Sequence, residues 1–264
     1  MNTIPAVFFG VSGLAVGSFV NLAVDRLPAG QSLVRPRSHC PVCQEPVSSL
    51  DLVPVLNYLW LRGRCRYCRA PIPSRSPVIE LIGGLLFAYV GYRWGYTLDA
   101  ALAAFAVTVL MLTFFIDLER QLILDKVTLP ALAIVLAAAP YGPASLGTSA
   151  AWGYVQALAG IGVGFGALLA IYLVSWRLLG QPGMGEGDVK FGALMGAMLG
   201  WRLTLVALPV AFIMGGVFAV GLILFRGKGR RDVMPYGTFL SLGTLITYFF
   251  GIPIRDWYLR LLGV

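Results

Sequence analysis

Only 12 Asp and Glu residues occur in the 264-residue chain, and two of them stand where long apolar runs begin or end. Asp117 closes the run Leu110-Met111-Leu112-Thr113-Phe114-Phe115-Ile116, and Asp188 opens another from within Gly183-Met184-Gly185-Glu186-Gly187-Asp188-Val189-Lys190. Ionisable groups at such depth are costly and mark function by default. Two carboxyls brought together cannot both ionise cheaply, so they hold one proton between them. The ionised member can take a proton from water while the protonated one polarises a peptide carbonyl. Water then attacks to give a gem-diol with no covalent adduct, and the pair titrates as a unit. Gly185 and Gly187 let backbone approach a substrate strand closely. Each acid alone has a plainer reading: a lone Asp188 before Val189 serves as an N-cap, and one Gly-x-Gly-Asp tetrad is weak evidence.

A second constellation is Cys40-Pro-Val-Cys43, then 21 residues, then Cys65-Arg-Tyr-Cys68. Two such knuckles supply four thiolates to a tetrahedral Zn site at about 2.3 Å. Arg64, Arg66 and Arg69 favour the thiolate form. His39, beside Cys40, is the single histidine. It is a lesser candidate ligand, and its being alone weakens any scheme needing a His base.

These residues need elements to position them. Hydrophobic residues make up 58% of the chain and charged residues 12%, against about 25% charged in soluble domains; mean hydropathy is +0.80. The deficit runs along the whole chain, so its net charge of +8 reads as membrane topology and argues against nucleic acid as a partner. A bilayer core of about 30 Å takes about 20 apolar residues in a helix. Such spans recur at Ile4–Val24, Pro77–Trp94, Leu98–Ile116, Val127–Ala139, Tyr154–Trp176, Val189–Trp201, Leu203–Phe225 and Tyr236–Ile252, the fourth and sixth being short. The expected fold is an all-α polytopic membrane protein of about eight transmembrane helices with a small cytoplasmic zinc-ribbon-like lobe. Residues 1–24 form the first helix, 25–76 the cysteine lobe and 77–264 the helix bundle. Residues 1–24 lack the charged n-region and cleavage site of a signal peptide and read as a retained helix. No internal repeat stands out.

If the Arg-rich segment after the first span is cytoplasmic, all Lys and Arg except Arg93, Arg202, Arg255 and Arg260 lie inside, as the positive-inside rule prefers. Both termini then face the exterior. Asp117 and Asp188 share the cytoplasmic ends of their helices, and the cysteines stand in a reducing compartment that disfavours disulfides. A lobe this small lacks a core and needs a metal staple.

Residues along nearly the whole chain resemble the type IV prepilin peptidases, members of the GxGD membrane aspartic proteases. The resemblance is carried in order by Gly17-Ser18-Phe19-Val20-Asn21-Leu22-Ala23-Val24-Asp25-Arg26-Leu27-Pro28, by Pro36 to Cys43, by Leu61 to Cys68, by Ile116-Asp117 through Leu124-Asp125, by Gly185-Glu186-Gly187-Asp188-Val189-Lys190 and by Pro235-Tyr236-Gly237. It implies Asp117 and Asp188 as the catalytic pair, with Gly185, Gly187, Lys190 and Asp125 supporting the site. Lys190 would orient Asp188 or meet substrate. Asp125 is a weaker candidate partner acid, otherwise capping its helix or pairing with Lys126. Glu186 occupies a variable position. Leu124 and Thr238 depart from the family, which commonly has Pro at both.

The resemblance further implies an inner-membrane enzyme cutting short basic leaders from prepilins and pseudopilins. It also implies N-methylation of the new terminus with S-adenosylmethionine, an activity linked with the cysteine lobe, and contacts with pilus or secretion machinery. Two other readings of the residues stand beside it: a proton- or cation-coupled transporter using the same aspartates, and a scaffold whose Zn lobe docks a secretion ATPase.

Overall fold

The structure, a computed structural model, describes residues 2–141, 150–181, 183–226, 235–261 and 263. Among these there are eight α-helices and no strand: α1 Thr3–Arg26, α2 Leu56–Trp60, α3 Arg75–Trp94, α4 Leu98–Arg120, α5 Asp125–Ala137, α6 Ala150–Leu179, α7 Glu186–Arg226 and α8 Tyr236–Leu261. Lys228, Arg230 and Arg231, which entered the charge count, lie outside the described residues. Five helices (α1, α4, α6, α7 and α8) are long and apolar enough to cross a membrane, so the protein is a multi-pass membrane protein. All eight expected spans have helical counterparts. The expected sixth and seventh spans are the two halves of α7, which breaks at Gly200 with φ 70° and ψ 164°. That backbone conformation is open to glycine and strained for any other residue.

The chain divides into two compact units, Met1–Thr108 and Val109–Val264, with the boundary inside α4. In the first unit α1 packs along α3 through glycines. A Cβ on Gly17 would lie 2.6 Å from Glu80 Cα, and one on Gly83 2.6 Å from Gly13 O. In the second unit α6 crosses α7 at Gly160, Gly164, Gly192 and Gly196, where a Cβ on any of the four would collide with facing backbone. Lipid gives apolar helices no hydrophobic reason to associate, so close backbone approach between small residues supplies the packing. Large side chains turn outward, as in Leu85, Leu224 and Phe225. Some buried hydroxyls bond back within their own helix: Ser241 Oγ donates to Gly237 O at 2.7 Å and Thr204 Oγ1 to Gly200 O at 2.7 Å, which keeps those polar atoms paired in an apolar solvent.

The cysteine lobe contains a repeat that the sequence reading missed. Ser38–Val47 and Gly63–Ile72 adopt the same turn. Cys40 N–H bonds Glu45 O as Cys65 N–H bonds Ala70 O, and Gln44 N–H bonds Cys40 O as Arg69 N–H bonds Cys65 O. Gln44 and Arg69 both take φ 61°, and His39↔Pro46 bridges as Arg64↔Pro71 does. The shared pattern Cys-x-x-Cys-x-x-Pro-(Val/Ile) was the available signal.

Candidate functional site

Asp117 lies three residues before the end of α4 and is 4% exposed. Its own helix end is a poor place for a carboxylate, because the last carbonyls leave partial negative charge there. The first turn of α8 compensates: Thr238 donates to Asp117 Oδ2 through its backbone N–H at 2.6 Å and through Oγ1–H at 2.9 Å. Asp188 is the third residue of α7 and is 7% exposed. Its Oδ2 reaches back to accept the N–H of Gly185 at 2.9 Å. That is the return half of a capping box, with the acid at N3 and the N-cap amide as donor. The plain capping role therefore exists, and it also points the side chain toward the start of the helix.

Ile123 ties the three segments together. A Cβ on Gly187 would lie 2.9 Å from Ile123 Cβ. One on Gly237 would lie 2.6 Å from Ile123 Cδ1 and 3.0 Å from Asp117 Cγ. The glycines preceding Asp188 and Thr238 thus both press on the turn that follows Asp117. Tyr236 Oη is buried with no hydrogen-bond partner among the described residues, and its ring packs on Phe212 at 5.4 Å.

Lys190 and Asp125 are also brought together, at the surface. Lys190 Nζ meets Asp125 Oδ2 at 2.7 Å, with both side chains over 40% exposed. Asp125 therefore pairs with Lys190 across 65 residues; no side-chain cap bond forms at the start of α5.

The four cysteines form one cluster in which all sulfurs lie within 4.8 Å of one another. Cys40 Sγ is 3.7 Å from Cys68 Sγ, and Cys43 Sγ is 4.0 Å from Cys65 Sγ. Tetrahedral bonds of about 2.3 Å would put sulfurs about 3.8 Å apart, so the cluster fits a metal ion. The electrostatics agree. Backbone N–H groups of Cys43 and Val42 bring the Cys40 thiol down to about 6. Cys43 receives the Glu45 amide, which lowers it, yet desolvation and the sulfurs of Cys68, Cys40 and Cys65 push it up to about 12. Four thiolates at this spacing need a cation to coexist. His39 stands aside, its Nδ1 on Arg37 O at 3.1 Å.

Residues 11–94 match the family model of the bacterial peptidase A24 N-terminal domain, and residues 104–220 that of the type IV leader peptidase family. A prepilin leader peptidase/N-methyltransferase of Aeromonas hydrophila is 35% identical, covering 93% of this chain and 91% of its own. Its counterpart in Burkholderia pseudomallei (strain K96243) is 36% identical over 96% and 87%, and that of Myxococcus xanthus (strain DK1622) 38% over 85% and 64%. The chain belongs to the prepilin leader peptidase family. No solved structure matches it significantly.

Membership of the leader peptidase family gives the transporter reading no support, since the names of these relatives state a peptidase and a methyltransferase. The family match ends at residue 220, so α8, which supplies Thr238, lies beyond it. Sequence reasoning noted Thr238 only as a departure from Pro. It missed Ile123 altogether, because an isoleucine in a loop carries no sign of what it touches. The glycine crossing of α6 and α7 was detectable from Gly160-x-x-x-Gly164 and Gly192-x-x-x-Gly196.

Proposed function

We propose that the protein is a membrane aspartic endopeptidase in which Asp117 and Asp188 share one proton and activate water. One carboxylate takes a proton from water as its oxygen bonds the scissile carbonyl carbon. The other carboxyl donates to the carbonyl oxygen; on collapse of the gem-diol the first passes its proton to the nitrogen, the second takes one back from a hydroxyl, and the C–N bond breaks to release the amine. The observation that supports this reading is that two buried acids 71 positions apart, each accepting a backbone N–H at a helix N-terminus, stand on segments that share one contact, since Gly187 before Asp188 and Gly237 beside Asp117 both lie against Ile123. Gly185 leaves the backbone beside Asp188 open to an extended substrate, while Gly187 seats Ile123 against the start of α7; the exposed Lys190–Asp125 pair supports the site's rim.

The substrates are prepilins and pseudopilins, whose apolar helix stays in the bilayer while the basic leader is cut. The site and the cysteine lobe face the cytoplasm across the inner membrane, following the bias of Lys and Arg. The new N-terminus is then methylated with S-adenosylmethionine as donor. Zn bound by Cys40, Cys43, Cys65 and Cys68 would close the lobe as a structural staple.

The test is cleavage of a synthetic prepilin by the reconstituted protein. Asp117→Asn and Asp188→Asn should each lower the rate by about 10³-fold or more while the protein remains in the membrane. Asp125→Asn should keep substantial activity. Full cleavage by either of the first two variants overturns the assignment.

A further inference from the structure

The short helix of the cysteine lobe has its polarity reversed. In α2, Leu56, Leu59 and Trp60 stand at i, i+3 and i+4, which puts them on one side, and they are 62%, 65% and 85% exposed. The polar residues between them turn inward. Asn57 Nδ2 donates to Asp51 O at 2.7 Å, and Asn57 and Tyr58 line a cavity of about 390 Å³ that the lobe shares with α1 and α3. A helix with polar groups inside and leucine and tryptophan outside suits apolar surroundings.

Glu80 fixes the depth of that helix in the first unit. Its Oε2 accepts the N–H of Val55, the residue that leads into α2, at 2.7 Å. Glu80 is buried and packs on α1, where a Cβ on Gly17 would lie 2.6 Å from Glu80 Cα. Gly17 stands seven residues before Val24, the last residue of the expected first span, which is about 10 Å inside it at about 1.5 Å per residue. Val55 is thus within one side-chain length of that level. It takes φ 63° there, a conformation that a β-branched residue keeps only where its surroundings enforce it. The outward face of α2 therefore begins beside the apolar length of α1, where acyl chains meet headgroups. A soluble partner could not cover it without entering lipid.

Charge follows the same face. Arg62 and Arg64 come directly after α2 and are exposed. Neither forms an ion pair among the described residues, whereas Arg66 Nε meets Asp51 Oδ2 at 2.8 Å. Arg62 N–H bonds Leu59 O and Arg64 N–H bonds Leu61 O, so the chain winds back and keeps both residues beside the end of α2. Leucine and tryptophan next to unpaired arginines match the boundary of an anionic bilayer, where rings sit at headgroup level and guanidinium groups meet phosphate.

We propose that α2 is a membrane-surface anchor: Leu56, Leu59 and Trp60 lie in the interface of the bilayer that α1 crosses, and Arg62 and Arg64 hold anionic phospholipid headgroups. The lobe is then seated on two sides, by α1 and α3 within and by lipid without.

Tryptophan fluorescence of the full-length protein in phosphatidylcholine vesicles tests this, the signal of Trp60 being the difference between the unaltered protein and Trp60→Phe. Phosphatidylcholine brominated near the headgroup end of its acyl chains should quench that signal, and aqueous iodide should leave it unchanged. Brominated phosphatidylglycerol at the same small mole fraction should quench it about fivefold more strongly, the enrichment that one basic group gives beside anionic lipid. Arg62→Gln combined with Arg64→Gln should make the two brominated lipids equal. Leu56→Trp in the otherwise unaltered protein should add a second component quenched in the same way, whether or not Trp60→Phe folds.

Quenching of both components by iodide would place the face in water. Quenching by neither agent would place it under protein, a second copy of the chain included. Either result overturns the proposal, and so does equal quenching by the two brominated lipids in the unaltered protein.

Discussion

Thr238 makes two hydrogen bonds to one carboxylate oxygen of Asp117, one through the backbone and one through the side chain. A hydrogen bond to a charged group contributes about 1.5–3 kcal/mol. Thr238→Val keeps the shape and the amide but deletes the hydroxyl, and should slow prepilin cleavage about tenfold with little change in KM. Thr238→Ser should restore most of the loss, and steady-state kinetics on the three proteins separates these outcomes. In the lobe, the Arg66 guanidinium beside Asp51 holds that carboxyl below the usual Asp range. The folded lobe therefore binds fewer protons there than the unfolded chain. Its stabilisation is complete above the unfolded Asp value of about 3.9 and fades as pH falls through the depressed folded value. Zinc retention measured against pH should show Asp51→Asn releasing metal at higher pH than the unaltered protein.

The helices carry a sharper contrast. Gly160, Gly164, Gly192 and Gly196 leave no room for a side chain, whereas a Cβ on Gly162 or Gly166 of the same helix meets nothing within 4 Å. Gly164→Ala should cost about 1–3 kcal/mol, as overpacking typically does, and so lower the temperature at which the solubilised protein loses cleavage. Gly162→Ala should leave that temperature unchanged or raise it, since alanine restricts the unfolded chain. Equal effects from the two substitutions would show that α6 and α7 do not meet at these residues. Among the loops, the equivalence of Ser38–Val47 with Gly63–Ile72 makes each knuckle half of one cluster. Cys40→Ser and Cys68→Ser, drawn from different knuckles, should both bring bound zinc to background in metal analysis.

For the whole molecule, the segments of the fold were legible because a bilayer imposes a length. Each apolar stretch became a helix, and Gly200 broke α7 next to the expected gap before Leu203. Asp117 and Asp188 were legible because carboxylates are expensive at apolar boundaries. What surrounds them was not. Ile123 bridges Gly187 and Gly237 through packing between segments distant in the chain, and no local pattern announces it. The Lys190–Asp125 ion pair was hidden similarly, since Lys126 stood nearer in sequence. Glu80 was passed over inside the expected apolar span Pro77–Trp94, although an acid beside the glycines of α3 is costly at such depth. The division of the chain into two compact units also follows from contacts that hydropathy does not encode.

The clasp on Asp117 reaches across 121 residues to α8. Synthesis runs from the N-terminus, so both acids are already in the growing chain when the segment that holds the first of them is still being made. On the proposed mechanism, an unfinished copy would not hydrolyse the proteins around it at the insertion machinery. Competence would arrive only when Tyr236–Leu261 has left the ribosome and settled into the lipid.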